Sequence, residues 1–152
     1  MTPTELLGEV DRILEETKTA LLATLDSQGL PHLQWMTPRR LRDRPEHLYA
    51  VTEAGTAKIA EIRRDPRVTW LVQRASLTEV ITLRGRASVA EDPTLLRDFL
   101  EAAGKNLFMV WHLNPARARP QLVVIETTLE EASRFDAGTG ETVRLRLGDG
   151  TR

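Results

Sequence analysis

The chain has no cysteine in its 152 residues, which excludes disulfide staples and thiolate metal ligands. Its three histidines, His32, His47 and His112, are too scattered to nominate a metal cluster. No apolar run approaches the ~20 residues that cross a bilayer as a helix, so membrane insertion is not expected. The opening residues Met1-Thr2-Pro3-Thr4-Glu5 lack the basic start and apolar stretch of a secretory signal, and a cytoplasmic location is the expectation. Ser27, Ser76, Ser88 and Ser133 have no nucleophile-elbow context, which sets hydrolase chemistry aside. Gly104-Lys105 lacks the rest of a phosphate loop.

What remains is an ordinary soluble composition, 41% hydrophobic and 28% charged, in a chain of the size of one domain over residues 1–152. The net charge is only −1, yet eleven Lys/Arg face six Asp/Glu between Arg39 and Arg86. That basic middle lacks a basic helix with interleaved aromatics, so nucleic acid is not the expected partner. An anionic small molecule or plain solvated arginines both account for it.

Thr2 and Glu5 have capping-box spacing, and Leu6, Leu7, Val10, Ile13 and Leu14 form one apolar stripe, so a helix is predicted to about Thr17. Residues 19–26 and 31–41 read as a hairpin about Ser27-Gln28-Gly29. A turn at Asp43-Arg44-Pro45-Glu46 then leads to a short strand, 47–52. A second helix is expected over 56–64, stopped by Asp65-Pro66, and then strands at 68–74 and 79–90. A third helix carries Leu95, Leu96, Phe99 and Leu100 and is predicted to close at Gly104. Residues 106–119 give no clear pattern. A strand at 122–128 and a terminal hairpin about Asp136-Ala137-Gly138-Thr139-Gly140 complete the order, and the tail after 148 is expected to fray. Strands outnumber helices and short turns join them, which predicts a mainly β fold with flanking helices (α+β), an antiparallel sheet closing into a barrel.

The richest chemistry lies between Leu48 and Lys58. A strand ends in the hydroxyl of Thr52, Gly55 follows, and a helix opens with Thr56 as N-cap and Lys58 in its first turn. Free N–H groups, the positive end of the helix dipole, a hydroxyl and an ammonium converge there, as a phosphate dianion requires. A lysine normally avoids this end of a helix, where it opposes the dipole by ~0.3–1 kcal/mol.

The segments Ala20-Leu21-Leu22-Ala23-Thr24-Leu25-Asp26, Gly29-Leu30-Pro31-His32, Leu48 to Lys58, Ile62-Arg63-Arg64-Asp65-Pro66-Arg67-Val68 and Leu83-Arg84-Gly85-Arg86-Ala87 follow one another in an order that resembles the FMN-binding split-barrel proteins of the pyridoxamine 5'-phosphate oxidase superfamily, especially the general stress protein branch. The resemblance covers most of the chain and implies an antiparallel split β-barrel of FMN-binding type. It implies a homodimer with flavin at the subunit interface and a nicotinamide or other electron donor. It places Gln34, Trp35, Met36 and Thr37 along the isoalloxazine and ribityl chain, many through backbone atoms, Val51 and Thr52 beneath the ring, and Thr56 and Lys58 on the phosphate. This chain departs from the pattern at Gln34, where many relatives carry a basic residue, and at Trp35, where proline is frequent. Arg39 is a candidate compensating cation. Phe108 and Trp111 are read as core, or as a cover over the partner's flavin.

The C-terminal arginine and histidine pattern of the oxidase proper is missing, since Val143-Arg144-Leu145-Arg146-Leu147 has no histidine. Vitamin B6 oxidation is therefore not expected. The expected function is that of an FMN-dependent oxidoreductase, with no side chain nominated as catalytic acid or base. A deazaflavin-dependent reductase, or a non-catalytic flavin or haem binding protein of stress physiology, are the alternatives.

Overall fold

A computed structural model describes the backbone of residues 1–111 and 121–148, and the side chains of residues 1–103 and 121–148. The order is α1 (Pro3–Thr17), β1 (Ala20–Leu25), β2 (Pro31–Met36), β3 (Arg39–Leu41), β4 (Arg44–Glu53), α2 (Ala57–Arg64), β5 (Arg67–Gln73), β6 (Glu79–Ala90), α3 (Pro93–Trp111), β7 (Leu122–Asp136) and β8 (Glu141–Arg146). Every pairing is antiparallel. The strands form one sheet in the path β2-β1-β5-β6-β7-β4-β3, with β8 added to β7. The two ends of that path are consecutive in the chain, joined only by Thr37 and Pro38. The three Cα–Cα steps from Met36 to Arg39 span at most about 11 Å, so the sheet must curl until its ends meet, and the result is a split barrel.

The interior is filled by alternate residues of the strands. Leu22, Leu48, Ala50, Val68, Trp70, Val72, Ile81, Leu83, Val123, Ile125 and Leu129 form one buried cluster. The predicted stripe of α1 plugs it, and both hydrogen bonds of its capping box are made, Thr2 N–H to Glu5 at 3.0 Å and Glu5 N–H to Thr2 Oγ1 at 3.1 Å. A second cluster, Tyr49, Leu95, Phe99, Ala103 and Val124, lies between α3 and the outer faces of β4 and β7. Tyr49 belongs to it, and burial pushes its phenol up to about 12.

Ion pairs tie α1 to the sheet. Glu79 is buried, and its carboxylate accepts from Arg74 Nε at 2.8 Å and also from Arg134. Arg74 reaches on to Glu16 at 2.9 Å and Glu9 at 3.0 Å on α1. Removing one partner of such a buried group would strand the other.

Four boundaries differ from the sequence reading. The segment 31–41 is two strands, because Pro38 has no N–H for a ladder. The second turn is Arg42-Asp43 and β4 begins at Arg44. Pro45 is tolerated there because pairing of β4 with β7 starts only at His47. The third helix passes through Gly104 to Trp111: a mid-helix glycine costs only about 1 kcal/mol, no proline follows within the next turn, and Leu107 and Phe108 continue the apolar spacing. Finally β7 runs on through Glu130-Glu131 to Asp136 rather than stopping at Thr128. The expectations for Phe108, Trp111 and the tail after 148 lie outside the described residues.

Gly85 sits at a register shift between β6 and β7, where Glu130 is left over between the pairs Arg84–Glu131 and Gly85–Leu129. A Cβ at Gly85 would lie 2.1 Å from the Thr128 carbonyl oxygen. Backbone cannot yield as a side-chain tip does, so Gly85→Ala should cost about 3 kcal/mol. Gly55→Ala, with nothing within 4 Å of the added methyl, should be close to neutral. Urea denaturation of both variants checks the contrast.

Candidate functional site

The seam of the barrel gathers the polar groups that the core excludes. β2 ends the strand path and pairs only with β1, so along its other edge residues 31–36 have no strand partner among the described residues. Successive residues of β2 alternate in direction. His32, Gln34 and Met36 lie on the more buried face, while Leu33 and Trp35 are exposed on the opposite one.

At the far end of β4, Thr56 is the N-cap of α2, but its hydroxyl donates back to the Glu53 carbonyl at 3.0 Å and makes no capping bond. The first turn of α2 is thus left without a side-chain cap, and Lys58 stands in it. Lys58 Nζ donates to Thr52 Oγ1 at 3.3 Å and makes no ion pair among the described residues. Burial lowers its pKa, against smaller raising effects of the Glu61 and Glu53 charges. A half-buried ammonium with no carboxylate in ion-pair contact among the described residues, opposed to a helix dipole, is an arrangement that a bound anion would stabilise.

One turn further along α2, Glu61 is buried. Its Oε1 accepts from Thr24 Oγ1 at 2.8 Å and meets His32 Nδ1 at 2.7 Å. Burial pushes the Glu61 carboxyl up, but the hydrogen bonds of His32 and Thr24 and the His32 charge outweigh it, and the pKa is lowered. Gln34 continues the chain, with Nε2 donating to the Leu22 carbonyl at 2.7 Å and lying 3.5 Å from Thr24 Oγ1. Its Oε1 is buried with no hydrogen-bond partner, an acceptor that a donor on a bound molecule would satisfy.

Of the eight residues nominated from sequence, the structure brings Gln34, Thr52, Thr56 and Lys58 to the seam. Met36 and Thr37 are buried, leaving their backbone as the means of contact. Val51 points the other way and packs in the cluster beneath α3. Trp35 lies on the outer face. Arg39 is not available as a compensating cation, because it pairs with Glu15 at 3.1 Å beside a cavity of about 360 Å³ between α1 and β3. Sequence reasoning missed His32, Glu61 and Thr24. The spacing held a trace of them, since Lys58 and Glu61 are three apart on one helix, and Thr24 faces His32 across the hairpin.

The family model of pyridoxamine 5'-phosphate oxidase matches residues 6–135. General Stress Protein 26 from Bacillus anthracis str. Sterne is 26% identical, with 93% of this chain and 99% of that one covered at a TM-score of 0.69. An F420 reductase is 20% identical over 81% of this chain and 94% of that one, with a TM-score of 0.62. The heme binding protein from Mycobacterium smegmatis is 17% identical over 96% of this chain and 59% of that one, with a TM-score of 0.69. Among curated proteins nothing matches. No helix among the described residues is long and apolar enough to cross a membrane.

A group whose folded pKa is lowered gives stability that is present above its ordinary value, here 4.5, and lost as pH falls through the folded one. Glu61→Gln should therefore lower stability by about 1–2 kcal/mol near neutral pH. The deficit should shrink below the ordinary carboxylate value, as the wild-type carboxyl also loses its charge. Chemical denaturation across the acid range measures it.

Proposed function

The chain belongs to the pyridoxamine 5'-phosphate oxidase family, and from that premise we propose that it binds FMN at the seam of the split barrel and works as a flavin-dependent oxidoreductase. The observation that carries the reading is the uncapped start of α2 with its desolvated Lys58 beside Thr52. Lys58, Thr52 and the first N–H groups of α2 would hold the phosphate. The unsatisfied Gln34 Oε1 and the unpaired edge of β2 offer hydrogen bonds to the polar edge of the ring. The residues present therefore fit the cofactor. When bound, FMN would supply hydride acceptance and donation, while the protein orients it and excludes water.

The same reading includes a homodimer. The outer face of β2, β1 and β5 carries Leu33 and Trp35, with Leu21 opposite Trp35 and Leu71 opposite Leu21. Trp35 is 51% exposed and Leu33 63%. A contiguous apolar sheet face of this kind marks an interaction surface, and a two-fold copy of itself is the simplest partner. A deazaflavin is the second reading, favoured by the exposed Arg84 and Arg144, two cations against the one carboxylate of Glu131 in a shallow cleft that Thr82 and Ser133 also line on the same side of the sheet. Absorbance and mass of the cofactor that co-purifies separate the two.

Lys58→Ala should weaken FMN binding by roughly ten- to a hundred-fold, the equivalent of losing a charge-assisted bond of about 1.5–3 kcal/mol. Riboflavin, which lacks the phosphate, should be held equally by both proteins. Calorimetry with the two ligands decides it, and equal losses for both would return Lys58 to an ordinary surface role.

Trp35→Glu should convert the dimer to a monomer in light scattering and take flavin affinity with it. A wild-type protein that is already monomeric at micromolar concentration while binding one FMN would refute the dimer.

A further inference from the structure

We infer that His32, held by Glu61 and Thr24, is the second cation of the anion site and takes up a proton when a phosphate dianion settles at Lys58. The inference rests on the flavin reading above and concerns how that site balances its charge. A dianion at Lys58 would face one ammonium and, one helical turn away, the buried carboxylate of Glu61. Three negative charges against one positive charge in a half-dry seam require a further cation.

Three of the arginines in reach of α2 and α1 are already in ion pairs, and the fourth is exposed, where solvent screens its charge. Arg39 pairs with Glu15 at 3.1 Å, Arg40 with Asp11 at 2.6 Å and Arg63 with Glu91 at 3.5 Å. Arg64 donates to the Leu25 carbonyl at 3.2 Å from an exposed position. Among the described residues His32 is the titratable base in hydrogen-bond contact with Glu61, at 2.7 Å. Histidine is also the side chain whose ordinary charge change falls between about pH 5 and 8.

The geometry prepares it for this part. Nδ1 is fixed on Glu61 Oε1, which Thr24 also holds, so in the neutral ring Nε2 carries the free lone pair. The side chain is 42% exposed, and water can deliver the proton. The charged groups around it are Glu61, Lys58 and Arg64 on α2, and Asp26 at the end of β1. The Asp26 carboxylate is occupied by the N–H groups of Gln28 and Leu30, both at 2.9 Å, and adds negative charge near Glu61. Glu53, at the end of β4, acts on Lys58. A bound dianion would add its charge to these acids.

The test is calorimetric titration of FMN and riboflavin at about pH 8, in two buffers of unlike ionisation enthalpy, so that proton uptake is read directly. The wild-type protein should take up a proton with FMN and none with riboflavin, and its FMN affinity should fall by about tenfold per pH unit at most as pH rises. His32→Gln, at a partly exposed position, should fold, take up no proton and show a flat pH profile. Glu61→Gln, which removes the carboxylate that anchors Nδ1, should shrink the FMN-linked proton uptake, a readout that a purely structural role for Glu61 would not move. Undiminished uptake in His32→Gln would assign the proton to Lys58 and overturn the inference, as would equal uptake with riboflavin. Absence of any FMN heat in the wild type at every pH overturns the flavin reading itself, and this inference with it.

Discussion

The barrel depends on one close approach, the contact of Gly85 on β6 with the backbone of β7 at Thr128 and Leu129. The bulge at Glu130 belongs to this approach. Before it, β7 turns Val123, Ile125, Thr127 and Leu129 inward; after it, Ala132 is the buried residue. Without the extra residue the alternation would keep its phase, and Glu131 and Ser133 would enter a space now filled by Trp70, Ile81 and Leu83. The bulge also strengthens the local twist, which helps an eight-stranded sheet curl far enough for β2 and β3 to be joined by two residues.

Because that closure is covalent at one end and not hydrogen-bonded along its length, the fold keeps an unpaired edge. The interior beside it is apolar and admits few polar groups, and those it does admit are paired, as Trp70 Nε1 is with Thr127 Oγ1 at 3.0 Å. The seam is different. There α2 lays Glu61 against the turn end of the β1–β2 hairpin while Lys58 meets Thr52 of β4, and Thr24, His32 and Gln34 complete a continuous polar run. The polar groups gather where the sheet does not close, and the apolar outer face of β2 flanks the same edge.

The site's electrostatics follow from this placement. Lys58 is desolvated with no ion-pair partner among the described residues, whereas Glu61 is desolvated and held at Oε1 by Thr24 and His32. Solved structures with this fold carry names as different as an F420 reductase and a heme binding protein, so the fold by itself does not name a ligand.

Local signals were legible in the amino-acid sequence. The capping box and stripe of α1, both ends of β6, the stop of α2 at Asp65-Pro66, the terminal hairpin and the placement of Lys58 in a first helical turn follow from spacing over a few residues. The family resemblance extended these to the split barrel. Only the tertiary structure decided the rest, because it concerns residues far apart in the chain. At Gly104 the glycine masked a local signal, the apolar spacing continued by Leu107 and Phe108, whereas nothing near Thr128 announced that β7 would continue, since pairing with β6 supplies the reason. Arg39 read as a spare cation until α1 brought Glu15 to it. His32 and Glu61, separated by 29 positions, meet because one ends a hairpin and the other rides a helix laid across it. Hydrogen bonds of that kind leave no periodic trace in a sequence, and the charge state of the site is set by them.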